Sequence, residues 1–189
     1  CLWPRSAERI HGKTVGTRMS AAIEMFDIES IGRGRLAIMA QPGLPRNPAT
    51  VIDAIARAGI GEVVSLLEAH ESRELGLLDE PGLVAARSMH FVSFPIADMG
   101  LPSSVQDFAW LSWRLYRQIW DGVDTLLHCR GGIGRSGLLA AAVLLHDGRD
   151  VTTAFAAVAK ARGRRVPETA QQGDWLRASY AAIVAAAAA

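Results

Sequence analysis

Cysteine is nearly absent: only Cys1 and Cys129 occur in 189 residues. That excludes a disulfide framework and any cysteine-rich zinc or iron–sulfur centre; separately, neither a metal nor another cofactor is expected. Long apolar runs are also missing. The longest, Gly137 to Leu145 and the alanine-rich end from Ala178 to Ala189, fall short of the ~20 residues that a membrane-crossing helix needs. There is no excess of charge of either sign, since 20 Lys and Arg stand against 19 Asp and Glu. A formal +1 gives no field that would argue for nucleic acid or an anionic membrane as partner. The first twenty residues carry Arg5, Arg9, Lys13 and Arg18 with no apolar segment behind them, unlike a secretory signal. A reducing, cytoplasmic setting is expected.

Half of the chain is apolar, and its length suits one domain. Residues 1–18 lack periodicity and begin with Cys1 rather than Met, so residues 1–29 read as a leader, with Met19 as the natural start or the leader disordered. The domain is expected over 30–185. From residue 31 short β-type runs alternate with helical ones, the pattern of a single α/β domain with a central, mostly parallel twisted sheet flanked by helices. Strands are expected at 35–40, 62–67, 90–94 and 125–128. Thr50 is expected to cap a helix that ends near Gly59, and Ser103 with Gln106 to open one that runs to about Trp120. On the latter, Phe108, Leu111, Leu115 and Ile119 form one stripe, and Trp110, Trp113 and Trp120 read as core or groove-lining mass. Residues 68–89 are ambiguous, broken at Pro81-Gly82 with a possible short helix beyond. Further helices are expected from Gly134 to a stop at Gly148, over 152–161 and over 170–185.

Asp124 to Gly137, DTLLHCRGGIGRSG, carries the chemistry. A hydrophobic strand delivers Cys129 into a loop of Arg130, Gly131, Gly132, Ile133 and Gly134, and Arg135 and Ser136 follow in the first turn of a helix. Backbone N–H groups of such a loop, converging ahead of a helix N-terminus, build an anion-binding nest. A cysteine at its base is surrounded by donors, which favours the nucleophilic thiolate. A helix dipole supplies at most ~2 kcal/mol, or roughly one and a half pKa units. That cannot take a thiol from about 8.5 to well below neutrality, so loop amides, Arg135 and the Ser136 hydroxyl have to supply the rest. The planar fork of Arg135 can also hold two oxygens of a phosphoryl group.

The spacing His128-Cys129-x5-Arg135-Ser136 resembles the signature loop of the cysteine-dependent protein tyrosine and dual-specificity phosphatases. HCRGGIGRSG, with RLAIMAQPG, EVVSLLEAHE and FPIADMGLP upstream, is similar to the kinase-associated, cyclin-dependent-kinase-inhibitor-3-like subgroup over about residues 30–180. The resemblance implies a metal-independent phosphomonoesterase acting on phosphotyrosine, and on phosphoserine and phosphothreonine where the cleft is shallow. It implies a general acid on an upstream loop, and PIADMGLP places Asp98 there, 31 residues before Cys129. Asp107 is the rival carboxylate, better explained by its place at a helix start. By the same resemblance His128 is expected to hydrogen-bond the loop from behind, tuning Cys129. The position of a water-positioning glutamine holds Glu168, with Gln172 four residues on.

Several readings stay open. Glu71 and Glu74 could reach Arg135, but after a strand they read as solvated surface. Lys160, Arg162, Arg164 and Arg165 could grip a second phosphate, or simply complement a helix end. The loop has no lysine of the kind that resembles phosphoinositide phosphatases, although Arg130 could substitute. Rhodanese-like sulfur transfer or arsenate reduction also uses a cysteine in an anion loop, but no resolving cysteine is at hand except Cys1. The substrate is a phosphorylated protein or a small phosphomonoester, a phosphoinositide being the alternative. The non-enzyme alternative is a phospho-binding pseudophosphatase, and nothing in the sequence indicates an oligomeric state.

Overall fold

The computed structural model describes residues 23–188. The expectations for Met19 and for residues 1–18 lie outside the described residues. Among the described residues five strands form one sheet, ordered β1-β2-β5-β3-β4. They are β1 (Met25–Ile31), β2 (Gly34–Ala40), β3 (Glu62–Ser65), β4 (His90–Ser93) and β5 (Thr125–Cys129). β1 pairs antiparallel with β2, and every other pairing is parallel. The sheet is thus mixed and mostly parallel, as expected, with one strand more than the sequence indicated. β1 begins five residues before the expected start of the domain. Its Asp27 and Glu29 and a register shift between them are tolerable because it is an edge strand, and they disguise its alternation.

Among the described residues seven α-helices flank the sheet: α1 (Pro48–Arg57), α2 (Ala69–Glu74), α3 (Glu80–Ala85), α4 (Val105–Trp120), α5 (Gly134–His146), α6 (Val151–Arg162) and α7 (Ala170–Ala185). Two helix starts differ from expectation. Asn47, not Thr50, caps α1, accepting the Thr50 N–H at 3.1 Å, because Pro48 fits the first helical position and sends the start upstream. Ser104, not Ser103, caps α4 through the Asp107 N–H at 3.2 Å. Pro81 opens α3 rather than breaking the chain, for the same reason as Pro48.

Strand alternation sorts the core into two layers. Leu36, Ile38, Val64, Leu127 and Cys129 face a cluster with α4, α5, α6 and α7. Ala37, Met39, Val63 and Leu126 face α1 and α3. β5 is central and buried at all five positions. α5 is buried from Gly134 through Leu145, which accounts for a helix apolar on every side. The four-residue stripe of α4 is buried as expected. The tryptophans are not all core, since Trp110 and Trp120 remain 53% and 50% exposed. At 100° per residue they fall on the opposite side of α4 from Phe108, Leu111, Leu115 and Ile119.

Candidate active site

The site lies where the parallel strands end, the usual place for a ligand in an open α/β sheet. β5 ends on Cys129, which is 3% exposed, and α5 begins five residues later. Gly132 donates its N–H to Cys129 Sγ at 3.3 Å, and Ser136 Oγ lies 3.4 Å from the sulfur. Among the described residues the amides of Gly131, Ile133, Gly134, Arg135 and Ser136 donate to no protein acceptor, so they remain for a ligand or solvent. Gly132 is required by conformation and space: its φ is +64°, and a Cβ there would collide with the Met39 carbonyl group.

Arg135 is 2% exposed and held from several sides. Glu71, at the centre of α2 and 1% exposed, grips Nη1 at 2.6 Å and Nη2 at 2.9 Å. The Ile96 carbonyl accepts from Nη1 at 2.9 Å and Asp98 Oδ1 from Nη2 at 2.8 Å. Burial works against the guanidinium charge, but the Glu71 hydrogen bond and the charges of Cys129, Glu71 and Asp98 outweigh it and raise its pKa. For Glu71 burial raises the carboxyl, and Arg135, the Glu68 N–H and Arg130 together bring it below its ordinary value. Glu71 is therefore no surface residue. Glu74 does not reach Arg135; it meets Arg130 Nη1 at 3.3 Å, with Glu71 3.7 Å from the same atom.

Asp98 sits on the loop between β4 and α4, its side chain 57% exposed. Its carboxylate accepts the Met99 N–H at 3.1 Å as well as the Arg135 bond. Asp107 lies in the first turn of α4. Gln172 is fully buried at the start of α7, where its side chain completes a capping box with Thr169 and donates to the Gly100 carbonyl at 3.3 Å. It therefore ties α7 to the Asp98 loop. The Glu168 side chain lies against Gly134, where a Cβ would displace its carboxylate.

His128 differs from expectation. Alternation along β5 turns it to the opposite face of the sheet from Cys129. Its Nε2 lies 2.9 Å from Glu80 Oε1 on α3, off the line of a good hydrogen bond. Among the described residues it makes no hydrogen bond to the loop. Arg162 also departs from the reading as a phosphate grip, because its guanidinium is buried behind the loop on the carbonyls of Gly131 and Gly132. Lys160 lines a separate groove of about 580 Å³ between β1 and α6, to which no loop residue contributes. Among the described residues no group of three or more His, Cys, Asp or Glu is placed to hold a metal. No helix among them is long and apolar enough to cross a membrane.

A family model described as "PTP-SAK: Swiss Army Knife protein, DSP-PTPase phosphatase domain" matches residues 26–186. The chain belongs to this phosphatase-domain family. No curated protein sequence matches it, but solved structures of phosphatases do. A kinase-associated phosphatase whose catalytic-site cysteine was replaced by serine superposes with a TM-score of 0.77 at 22% identity, covering 88% of this chain and 98% of that one. Tk-PTP in its active form gives 0.70 at 26%, covering 86% and 99%. PTPMT1 in complex with PI(5)P gives 0.66 at 17%, covering 85% and 97%. In this DSP-PTPase domain the motif from Cys129 to Ser136 was legible in the sequence. Glu71 was a candidate to reach Arg135 but read as surface, because 64 residues separate the two and nothing local marks it as buried.

Proposed function

We propose that the chain is a protein phosphatase that hydrolyses phosphotyrosine, and phosphoserine or phosphothreonine within reach, through a cysteinyl-phosphate intermediate. The observation that carries this reading is the convergence on one point of the Cys129 sulfur, the unbonded loop amides and a buried, carboxylate-clamped Arg135. Glu71 takes the Nη1–Nη2 edge of the guanidinium. The Nε–H, which meets no protein acceptor among the described residues, and the Nη2 hydrogen now on Asp98 can together hold two phosphoryl oxygens.

The chemistry then runs in two displacements. Cys129 Sγ, as the thiolate, forms a bond to phosphorus as the ester P–O bond breaks, and Asp98, displaced from Arg135 by the incoming phosphoryl group and protonated from solvent, gives that proton to the leaving oxygen. The amides of residues 130–135 and Arg135 stabilise the equatorial charge. Water next attacks phosphorus and passes a proton to the Asp98 carboxylate, the P–S bond breaks, and the thiolate returns. Ser136 Oγ, beside the sulfur, can hydrogen-bond the departing thiolate.

Phosphoinositides fit the rim less well. Arg130 is already paired with Glu74 and Glu71, and Glu74 is half-exposed, so the loop offers no unpaired cation for a second phosphate. A test compares phosphotyrosine and phosphothreonine peptides with phosphoinositides, in chelator, for the wild type, Cys129→Ser and Asp98→Ala. The expected result is metal-independent peptide turnover that Cys129→Ser abolishes and whose pH profile Asp98→Ala alters. Turnover that survives Cys129→Ser would sink the covalent route. A preference for the lipid would favour the phosphoinositide reading, and phosphopeptide binding without turnover the pseudophosphatase.

A further inference from the structure

An oxyanion nest works only if its amides point inward, and its carbonyls must then be satisfied from behind. Three consecutive carbonyls of this loop have such partners. Arg130 O accepts from the Gln41 N–H at 3.3 Å. Gly131 O and Gly132 O both accept from Arg162, through Nη2 at 3.2 Å and Nε at 2.6 Å. Each peptide carries its N–H opposite its C=O, so holding those two carbonyls also fixes the amides of Gly132 and Ile133. The first is the amide that reaches Cys129 Sγ. With two adjacent glycines, reversal of these peptide planes meets little steric resistance. Something outside the loop has to prevent it.

Arg162 is itself well anchored. It is 8% exposed, ends α6 just before the left-handed Gly163 cap, and places its guanidinium carbon 3.9 Å over the ring of Phe26 on β1. Among the described residues no carboxylate pairs with it within ion-pair distance; the charge of Glu24 supports it from farther off, and its hydrogen bonds go to the loop carbonyls. Burial lowers its pKa, but an arginine stays charged in a protein interior.

We propose that Arg162 is a positioning residue, which sets the peptide planes of residues 131–133 so that their amides face the Cys129 sulfur and a bound oxyanion. This rests on the reading of the loop as a nucleophile-bearing phosphate site. Lysine at 162 would keep the charge but offer a point donor in place of the fork, and so hold one carbonyl at a time.

The test uses two readouts that need no turnover: the affinity for orthovanadate, and the rate of Cys129 alkylation by iodoacetate from pH 5 to pH 9. Arg162→Met is expected to weaken vanadate binding roughly ten- to hundred-fold, the scale of losing charge-assisted hydrogen bonds, and to slow alkylation more at acid pH than at alkaline pH. Arg162→Lys should fall between, and Phe26→Leu should weaken binding a few-fold by removing the platform. Wild-type affinity together with a wild-type alkylation profile in a folded Arg162→Met would overturn the proposal. Should that variant not fold, the same result in Arg162→Lys would overturn it. A wild-type protein that binds vanadate but turns over no phosphomonoester would instead count against the proposed function.

Discussion

Replacing Glu71 by glutamine perturbs the site at a residue that touches no substrate. The side chain is almost fully buried and makes two bonds to Arg135 and one to the Glu68 N–H at 3.0 Å. Glutamine keeps the shape but turns one acceptor into an N–H₂ group that faces a guanidinium. Loss of one hydrogen bond to a charged group amounts to about 1.5–3 kcal/mol, and in a chain of this size roughly 2–4 °C of melting temperature accompanies each kcal/mol. Glu71→Ala should cost more, about 3–5 kcal/mol, because it leaves a buried guanidinium without its partner.

Activity should fall further than stability. A reacting group displaced by ~1 Å can cost on the order of a hundred-fold in rate, and in Glu71→Gln the Arg135 fork is free to rotate toward Asp98. Urea unfolding followed by far-UV circular dichroism gives the first number, and kcat/KM on an aryl phosphate the second. The acid limb adds a check of sign. Because the folded Glu71 carboxyl lies below its ordinary 4.5, the unfolded chain takes up the proton first as pH falls. Its contribution is complete above the unfolded value and declines as pH drops through the folded one. The stability gap between wild type and Glu71→Gln should therefore narrow on acidification. A Glu71→Gln protein with wild-type kcat/KM, and a midpoint shifted by no more than about 0.5 kcal/mol, as for an ordinary surface change, would refute the clamp.

Two other expectations follow from separate features. Gly132→Ala puts a Cβ on a left-handed residue pressed against the Met39 carbonyl, so it should cost about 1–3 kcal/mol and abolish vanadate binding; native stability with retained binding would contradict the loop geometry. His146 is half-buried beside Trp113 and Tyr116, and desolvation brings its pKa from 6.5 to about 4. Between those values only the unfolded chain is protonated, so stability should fall as pH drops below 6.5 and this contribution should level off near 4. Melting temperature against pH should slope less in His146→Leu, and an identical slope would exclude His146 as the cause.

What was legible in the sequence is what is local. The strand, glycine loop and helix start around Cys129 are contiguous, and each residue type there has one physical reason for its place. Phe108, Leu111, Leu115 and Ile119 repeat at helical spacing, so their burial could be read off directly. The residues that hold the site are remote and unremarkable in their own surroundings. Glu71 sits in a short polar helix and resembles a solvated face until Arg135 folds onto it. Arg162 ends a helix among other basic residues and cannot be told from a dipole-complementing charge without the loop behind it. His128 shows a different limit, since period-two alternation along β5 places it on the far face from Cys129, against the expectation that it bonds the loop.

The helix that starts beside Arg135 is also the most deeply enclosed helix among the described residues. Its outer turns meet α4, α6 and α7, and Gly137 has no room for a side chain against Val166. A lineage carrying this domain has little freedom to alter its reacting groups, because most changes near them also disturb the centre of the core. Changes of cleft shape fall most easily on the exposed positions of the segments that frame it, residues 41–47 and 95–102, in which Asn47, capping α1, and buried Ile96, holding Arg135, are not free. Exposed Leu44 and Met99 mark where such drift would meet the least resistance.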